Sequence, residues 1–131
     1  MSIQYGLQVC TDHVCVVCEG DYVLTDALHI IQIALETAER NKLSKILFDW
    51  RNVQGQLTTM QRYELAEQGA NLYAKMPAAG RILIAMVSNE ETIDPERFGE
   101  EVAINRGVPL KVTADMQEGL MWLGIDTDGR A

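Results

Sequence analysis

The chain has 131 residues, 47% hydrophobic and 23% charged, with 19 acidic against 11 basic side chains and a net charge of −8. That length suits one domain with a proper core, burying about two thirds of the surface its unfolded chain would expose. The acidic balance excludes non-specific nucleic-acid binding, which needs Lys and Arg against phosphates, and disfavours an anionic membrane surface.

No run of some 18 apolar residues occurs, so no membrane insertion is expected. The opening Met-Ser-Ile-Gln-Tyr-Gly carries none of the marks of a signal peptide. Three cysteines in a chain that needs no staples point to reduced thiols and a cytoplasmic location.

Residues 3–10 alternate, with Ile3, Tyr5, Leu7 and Val9 on one side and Gln4, Gly6, Gln8 and Cys10 on the other. Thr11 and Asp12 suit a tight turn, and residues 13–18 return as a second strand, so the chain opens on a β-hairpin. Thr25 or Asp26 is placed to cap a helix running to about Asn41. Residues 45–50, with Ile46-Leu47-Phe48, suit a central strand buried on both faces. Thr58 and Gln61 form a capping-box signature for a second helix to about Met76, with Tyr63, Ala66, Ala70 and Tyr73 on one face. Residues 81–88 are another continuous apolar strand. Asp94 is placed to cap a third helix with Pro95 at its first position, and Gly107 suits its C-terminal end. Leu110 and Val112 alternate across a short strand. Asp115 and Glu118 resemble a capping box, and Leu120, Trp122 and Leu123 offer bulk to close a core. Helices between apolar strands imply right-handed crossovers and a parallel portion of sheet, with the hairpin as an antiparallel edge. The expected fold is therefore α/β, a mixed sheet of about five strands with about four helices. It forms a single domain over residues 1–125, with 126–131 as a frayed tail.

The run Phe98-Gly99-Glu100-Glu101-Val102-Ala103, then Asn105-Arg106-Gly107, then Trp122-Leu123, in this element order, resembles the SpoIIAA-like branch of the STAS (sulfate transporter and anti-sigma factor antagonist) superfamily. The resemblance covers roughly residues 3 to 124. It implies the SpoIIAA-like fold and a non-enzymatic regulatory or protein-interaction role. Neighbours of the superfamily include CRAL-TRIO-like domains, which implies as an alternative the binding of a small apolar molecule or lipid.

Residues 49–59 hold the best functional candidates. This segment leaves the carboxyl end of a central strand and enters a helix N-terminus, the edge where α/β sheets bind ligands and helices attract anions. Asp49, Arg51, Thr58 and Thr59 form a candidate switch or ligand loop. In phosphorylated relatives of the resembled family this loop carries an Asp-Ser-Ser-Gly-type signature, which this chain lacks. The plain alternative is a local Asp49–Arg51 ion pair and a Thr58 cap.

The first predicted helix has more apolar residues than one stripe buries: Leu28, Ile30, Ile31, Ile33 and Leu35 form a candidate interface. Met60, Met76, Met86, Met116 and Met121 add adaptable surface. This excess fits a homodimer or protein-partner interface, an apolar pocket, or a helix packed deeply on the sheet.

His13, Cys15 and Cys18 invite a metal reading. On a strand, however, Cys15 and Cys18 point to opposite faces, so no metal site is expected. Cys10 and Cys15 are placed to share a face. Glu100 and Glu101 diverge by about 100° on a helix, which fits a solvated face better than paired catalytic carboxyls. Nucleophile elbows, phosphate-binding glycine loops and cofactor signatures are absent, so neither catalysis nor a cofactor is expected.

Overall fold

The computed structural model describes residues 1–90, 92–94 and 96–125. Strand β1 (Ile3–Val9) pairs antiparallel with β2 (Val14–Asp21), Val9 opposite Val14 and Ile3 opposite Gly20. Gly20 has φ +120°, and a Cβ there would lie 2.2 Å from the Ser2 carbonyl oxygen. Only glycine allows this close approach.

Helix α1 (Leu24–Arg40) starts at an N-cap, Val23, that supplies no side-chain hydrogen bond. Neither Thr25 nor Asp26 caps it. Asp26 is engaged elsewhere: its Oδ2 accepts from the backbone N–H of Ser2 at 2.7 Å and of Ile3 at 3.2 Å, tying the first strand to the helix start.

The chain continues through β3 (Lys45–Gln54), α2 (Thr59–Ala74), β4 (Leu83–Ser88), α3 (Phe98–Asn105), β5 (Leu110–Thr113) and α4 (Met116–Leu123). The five strands lie in the order β1-β2-β3-β4-β5, antiparallel only between β1 and β2. Among the described residues this is the mixed five-stranded sheet with four helices that the sequence pattern implies.

The two sheet faces are clothed differently. Val14, Val16, Cys18, Ile46, Phe48 and Ile84 pack with residues of α1, α2 and α3 in the main core. Leu47, Ala85 and Val87, on the opposite face, pack with Leu123 at the end of α4 and with Ile125. Tyr73 of α2 locks the main layer: its hydroxyl donates to the Ile82 carbonyl at 2.8 Å and accepts from Gly80 N–H at 2.9 Å.

Three further details depart from the sequence pattern. Asp94 does accept backbone N–H groups, from Glu96 at 3.1 Å and Phe98 at 3.0 Å, but α3 begins only at Phe98, after Arg97 in a left-handed conformation (φ 55°). Pro95 lies outside the described residues, as do Glu91 and the tail 126–131. Asp115 caps α4 by accepting from Gln117 N–H at 2.9 Å, yet no reciprocal box forms: the Asp115 N–H donates to Thr113 Oγ1 at 3.1 Å, and Glu118 pairs with Lys111 at 3.3 Å. Trp122 is 38% exposed and does not close a core, while Leu123 is buried.

Glu100 also behaves differently from a solvated residue. β5 is an edge strand, and the Val112 N–H donates to Glu100 Oε2 while its carbonyl accepts from Arg97 Nη1. Glu100 and Arg97 pair with each other at 3.3 Å. The start of α3 thus occupies backbone groups that an edge strand would otherwise present to another chain.

Candidate functional site

Strand β3 is longer than its apolar run suggests, reaching Gln54, so Asp49 and Arg51 stand on a strand and not in a loop. The register between β2 and β3 shifts there, Val17 opposite Asp49 but Glu19 opposite Asn52, which places one extra residue on β3. A bulge of this kind re-aims side chains. It allows both Trp50 and Val53, three apart, to lie in the main core.

Asp49 is buried and points to the α4 side, level with Val17 and Val87. Arg51 grips it from the same strand: Nε donates to Oδ1 at 2.9 Å and Nη2 to Oδ2 at 2.8 Å, and the Arg51 N–H adds a third bond at 3.2 Å. These bonds hold the Asp49 carboxyl below the usual carboxylate range and raise the guanidinium. The pair saturates itself.

Thr58 and Thr59 belong to a different environment. Thr58 Oγ1 accepts from Gln61 N–H at 3.1 Å, and Gln61 Oε1 accepts from Thr58 N–H at 2.8 Å, a complete capping box. Thr59, the first residue of α2, is exposed. Helix α2 packs on the sheet face opposite Asp49 through Ala70 and Tyr73. The structure therefore does not gather Asp49, Arg51, Thr58 and Thr59 into one cleft.

The carboxyl ends of β2, β3 and β4 form one rim. Val23, 37% exposed, follows β2, and Met60, 64% exposed, sits in the first turn of α2. Tyr22, Val23, Leu24, Gln61 and Glu64 line a pocket on this rim.

Of the five α1 residues expected to form an interface, Ile30, Ile31 and Leu35 are instead buried in the chain's own core. Leu28 and Ile33 are half-buried. The apolar surplus of α1 is mostly consumed by its seat on the sheet, because α2 flanks it as well.

The cysteines divide as strand geometry demands. Cys18 is fully buried in the main core, while Cys15 packs against the α4-side cluster. Burial first, then the charge of Asp49, pushes the Cys18 thiol up to about 12. His13 is buried, its Nδ1 2.7 Å from Asp12 Oδ1. Among the described residues no group of three or more His, Cys, Asp and Glu side chains is placed to hold a metal. No described helix is long and apolar enough to cross a membrane.

Between the main sheet face and helices α1, α2 and α3 lies an apolar cavity of about 180 Å³. Phe48, Trp50, Ile84 and Met86 floor it, and Ala66, Gly69 and Ala70 of α2 and Gly99 and Ala103 of α3 roof it with small residues. Trp50 and Tyr22 also line it, and the Trp50 Nε1 and Tyr22 hydroxyl are buried with no hydrogen-bond partner among the described residues. Sequence reasoning passes over these two groups. The legible signal is the small-residue spacing 66, 69, 70 on a helix facing a strand of large side chains.

No protein-family model matches the sequence, and no curated protein matches it. Solved structures do. An anti-sigma factor antagonist from Mycobacterium paratuberculosis is similar with a TM-score of 0.61 at 13% identity, over 94% of this chain and 95% of that one. An uncharacterised protein from Shewanella loihica PV-4, described as having a SpoIIAA-like fold, is similar with a TM-score of 0.55 at 18% identity, over 93% of each chain. At such identities the likeness is one of architecture, and it establishes that this chain adopts an α/β SpoIIAA-like fold.

Proposed function

We propose that this chain is a non-enzymatic, cytoplasmic regulatory module that docks a protein partner on the rim at the carboxyl ends of its parallel strands. The observation that carries this reading is the exposure of two apolar residues on this rim, Val23 at the start of α1 and Met60 in the first turn of α2. The fold likeness to an anti-sigma factor antagonist supports a regulatory class. Two features favour docking over catalysis: Asp49 and Arg51 spend their charge on each other, and the Thr58 hydroxyl serves its helix. Thr59 is the switch position in this reading. It is exposed and outside the cap, and a phosphate there would add about two negative charges to the rim.

The test is capture of the partner from the source cells, its identification, and titration of the purified pair. Met60→Asp should weaken binding at least about tenfold, the scale of losing one buried apolar anchor. Met121→Asp, on the exposed side of α4, should leave it unchanged. Equal affinity for the Met60→Asp variant and the wild type would refute rim docking. A second copy of the chain is the partner to check first. A strict monomer by sedimentation at high concentration removes that homodimer.

A further inference from the structure

We propose that the cavity beneath α1, α2 and α3 is a binding site for a small, largely apolar molecule carrying one hydrogen-bond acceptor, held by the indole N–H of Trp50. This inference does not rest on the docking reading above, since the rim and the cavity use different residues apart from Tyr22.

Protein interiors rarely leave voids larger than a water molecule. The pocket here is partly open to solvent, measures about 180 Å³ and is walled chiefly by aliphatic and aromatic side chains. An apolar cavity of about 150 Å³ is enough to hold benzene. Drug-sized ligands occupy pockets of roughly 300–1,000 Å³, so the probes chosen for this one are small. The hollow is a product of sequence: glycine or alanine at 66, 69, 70, 99 and 103 leaves room that larger side chains would fill. A Cβ at Gly69 would meet only Ile31 Cδ1, at 3.8 Å, so close helix packing does not demand glycine there.

The polar groups set the ligand's chemistry. Trp50 is 5% exposed, and its Nε1 is buried without an acceptor among the described residues. An indole N–H only donates. Tyr22 adds a second unpartnered hydroxyl, which burial pushes up to about 12, so it stays protonated and able to donate at neutral pH. Glu100, the carboxylate in the lining, is already engaged by Val112 N–H and Arg97. The site therefore offers donors to an acceptor such as a carbonyl oxygen. An unpaired buried donor is costly, and a ligand acceptor removes that cost.

Acetophenone, a monocyclic ketone, and ethylbenzene, its counterpart without an acceptor, serve as probes of the intact protein. The readouts are the two tryptophan indole N–H resonances and the thermal midpoint. Acetophenone is expected to move the Trp50 resonance, leave that of Trp122 in place and raise the midpoint, and to bind about tenfold more tightly than ethylbenzene. Trp50→Phe keeps most of the bulk and should erase that preference. Ala66→Leu fills the cavity and should abolish binding while raising the midpoint of the free protein. A Trp50 resonance unmoved at saturating acetophenone overturns the proposal. So does undiminished binding to a folded Ala66→Leu variant.

Discussion

Asp49 and Arg51 show how two neighbours on one strand can look like a reactive pair and serve as a clamp. Arg51 reaches back two residues along the same face and donates in bidentate fashion, so the carboxylate tolerates burial beside Val17 and Val87. Its side chain is 48% exposed, which screens the pair and keeps its worth near the low end for buried ion pairs. Arg51→Met should therefore cost about 1 kcal/mol at neutral pH. The Asp49 carboxyl is held low in the fold, first by the Arg51 side-chain hydrogen bonds. A group lowered in this way stabilises the fold above its unfolded value, near 3.9, and loses that contribution as the pH falls through the lower folded value. Urea titrations should thus show the gap between wild type and Arg51→Met closing below about pH 4. A gap that persists unchanged in acid would place its origin elsewhere.

Helix α2 is the element whose sequence grammar is most complete. Thr58 and Gln61 exchange hydrogen bonds at its start, and Tyr73 is fixed to Gly80 and Ile82 at its end. Between these anchors it presents Ala66, Gly69 and Ala70 to the interior, a weak apolar face for a helix that must pack. Its placement leans instead on α3: Tyr63 stacks with Phe98 at 6.4 Å, and Arg106 sits 5.5 Å over the Tyr63 ring and 3.6 Å from Glu67. Loss of the cap by Thr58→Ala should lower stability by about 1 kcal/mol, read by chemical denaturation. Thr59→Ala, outside the box, should change it little. Equal losses for the two would mean that the hydroxyl of Thr58 is not the cap.

At the scale of the molecule, the sheet has two exposed flanks and the chain treats them differently. The β5 edge is closed by Glu100 and Arg97, which occupy the N–H and carbonyl of Val112. On the β1 edge Asp26 accepts from the Ile3 N–H at the start of the strand, while Tyr5 and Val9 further along are partly exposed. Glu100→Ala should unfasten the first of these. The expected result is a loss of about 1 kcal/mol together with association that grows with concentration, followed by light scattering. A variant that stays monomeric and equally stable would show that the clamp is incidental. The cavity acts at the same scale. It is an apolar pocket of about 180 Å³, partly open to solvent, between the sheet and three helices. An interior of this kind gains when something occupies it.

The element order, the hairpin, the apolar central strands and the Thr58 capping box are all legible in the chain, because they depend on periodicity and on contacts within a few residues. The same local reading misplaces Asp26, Glu100 and the α1 surplus. Asp26 has the right chemistry for a cap but is claimed by backbone groups 23 and 24 positions away. Glu100 looks solvated until α3 lands against β5. Ile30, Ile31 and Leu35 look available until α2 and the sheet close over them. The bulge that turns both Trp50 and Val53 inward, and the hollow that Trp50 faces, arise only when strands and helices meet. Sequence by itself therefore determined which elements form and in what order, since hydrophobic pattern and turn chemistry act locally. Tertiary packing alone decided which polar groups are satisfied, which are orphaned, and where the interior is empty, since each of those depends on partners distant along the chain.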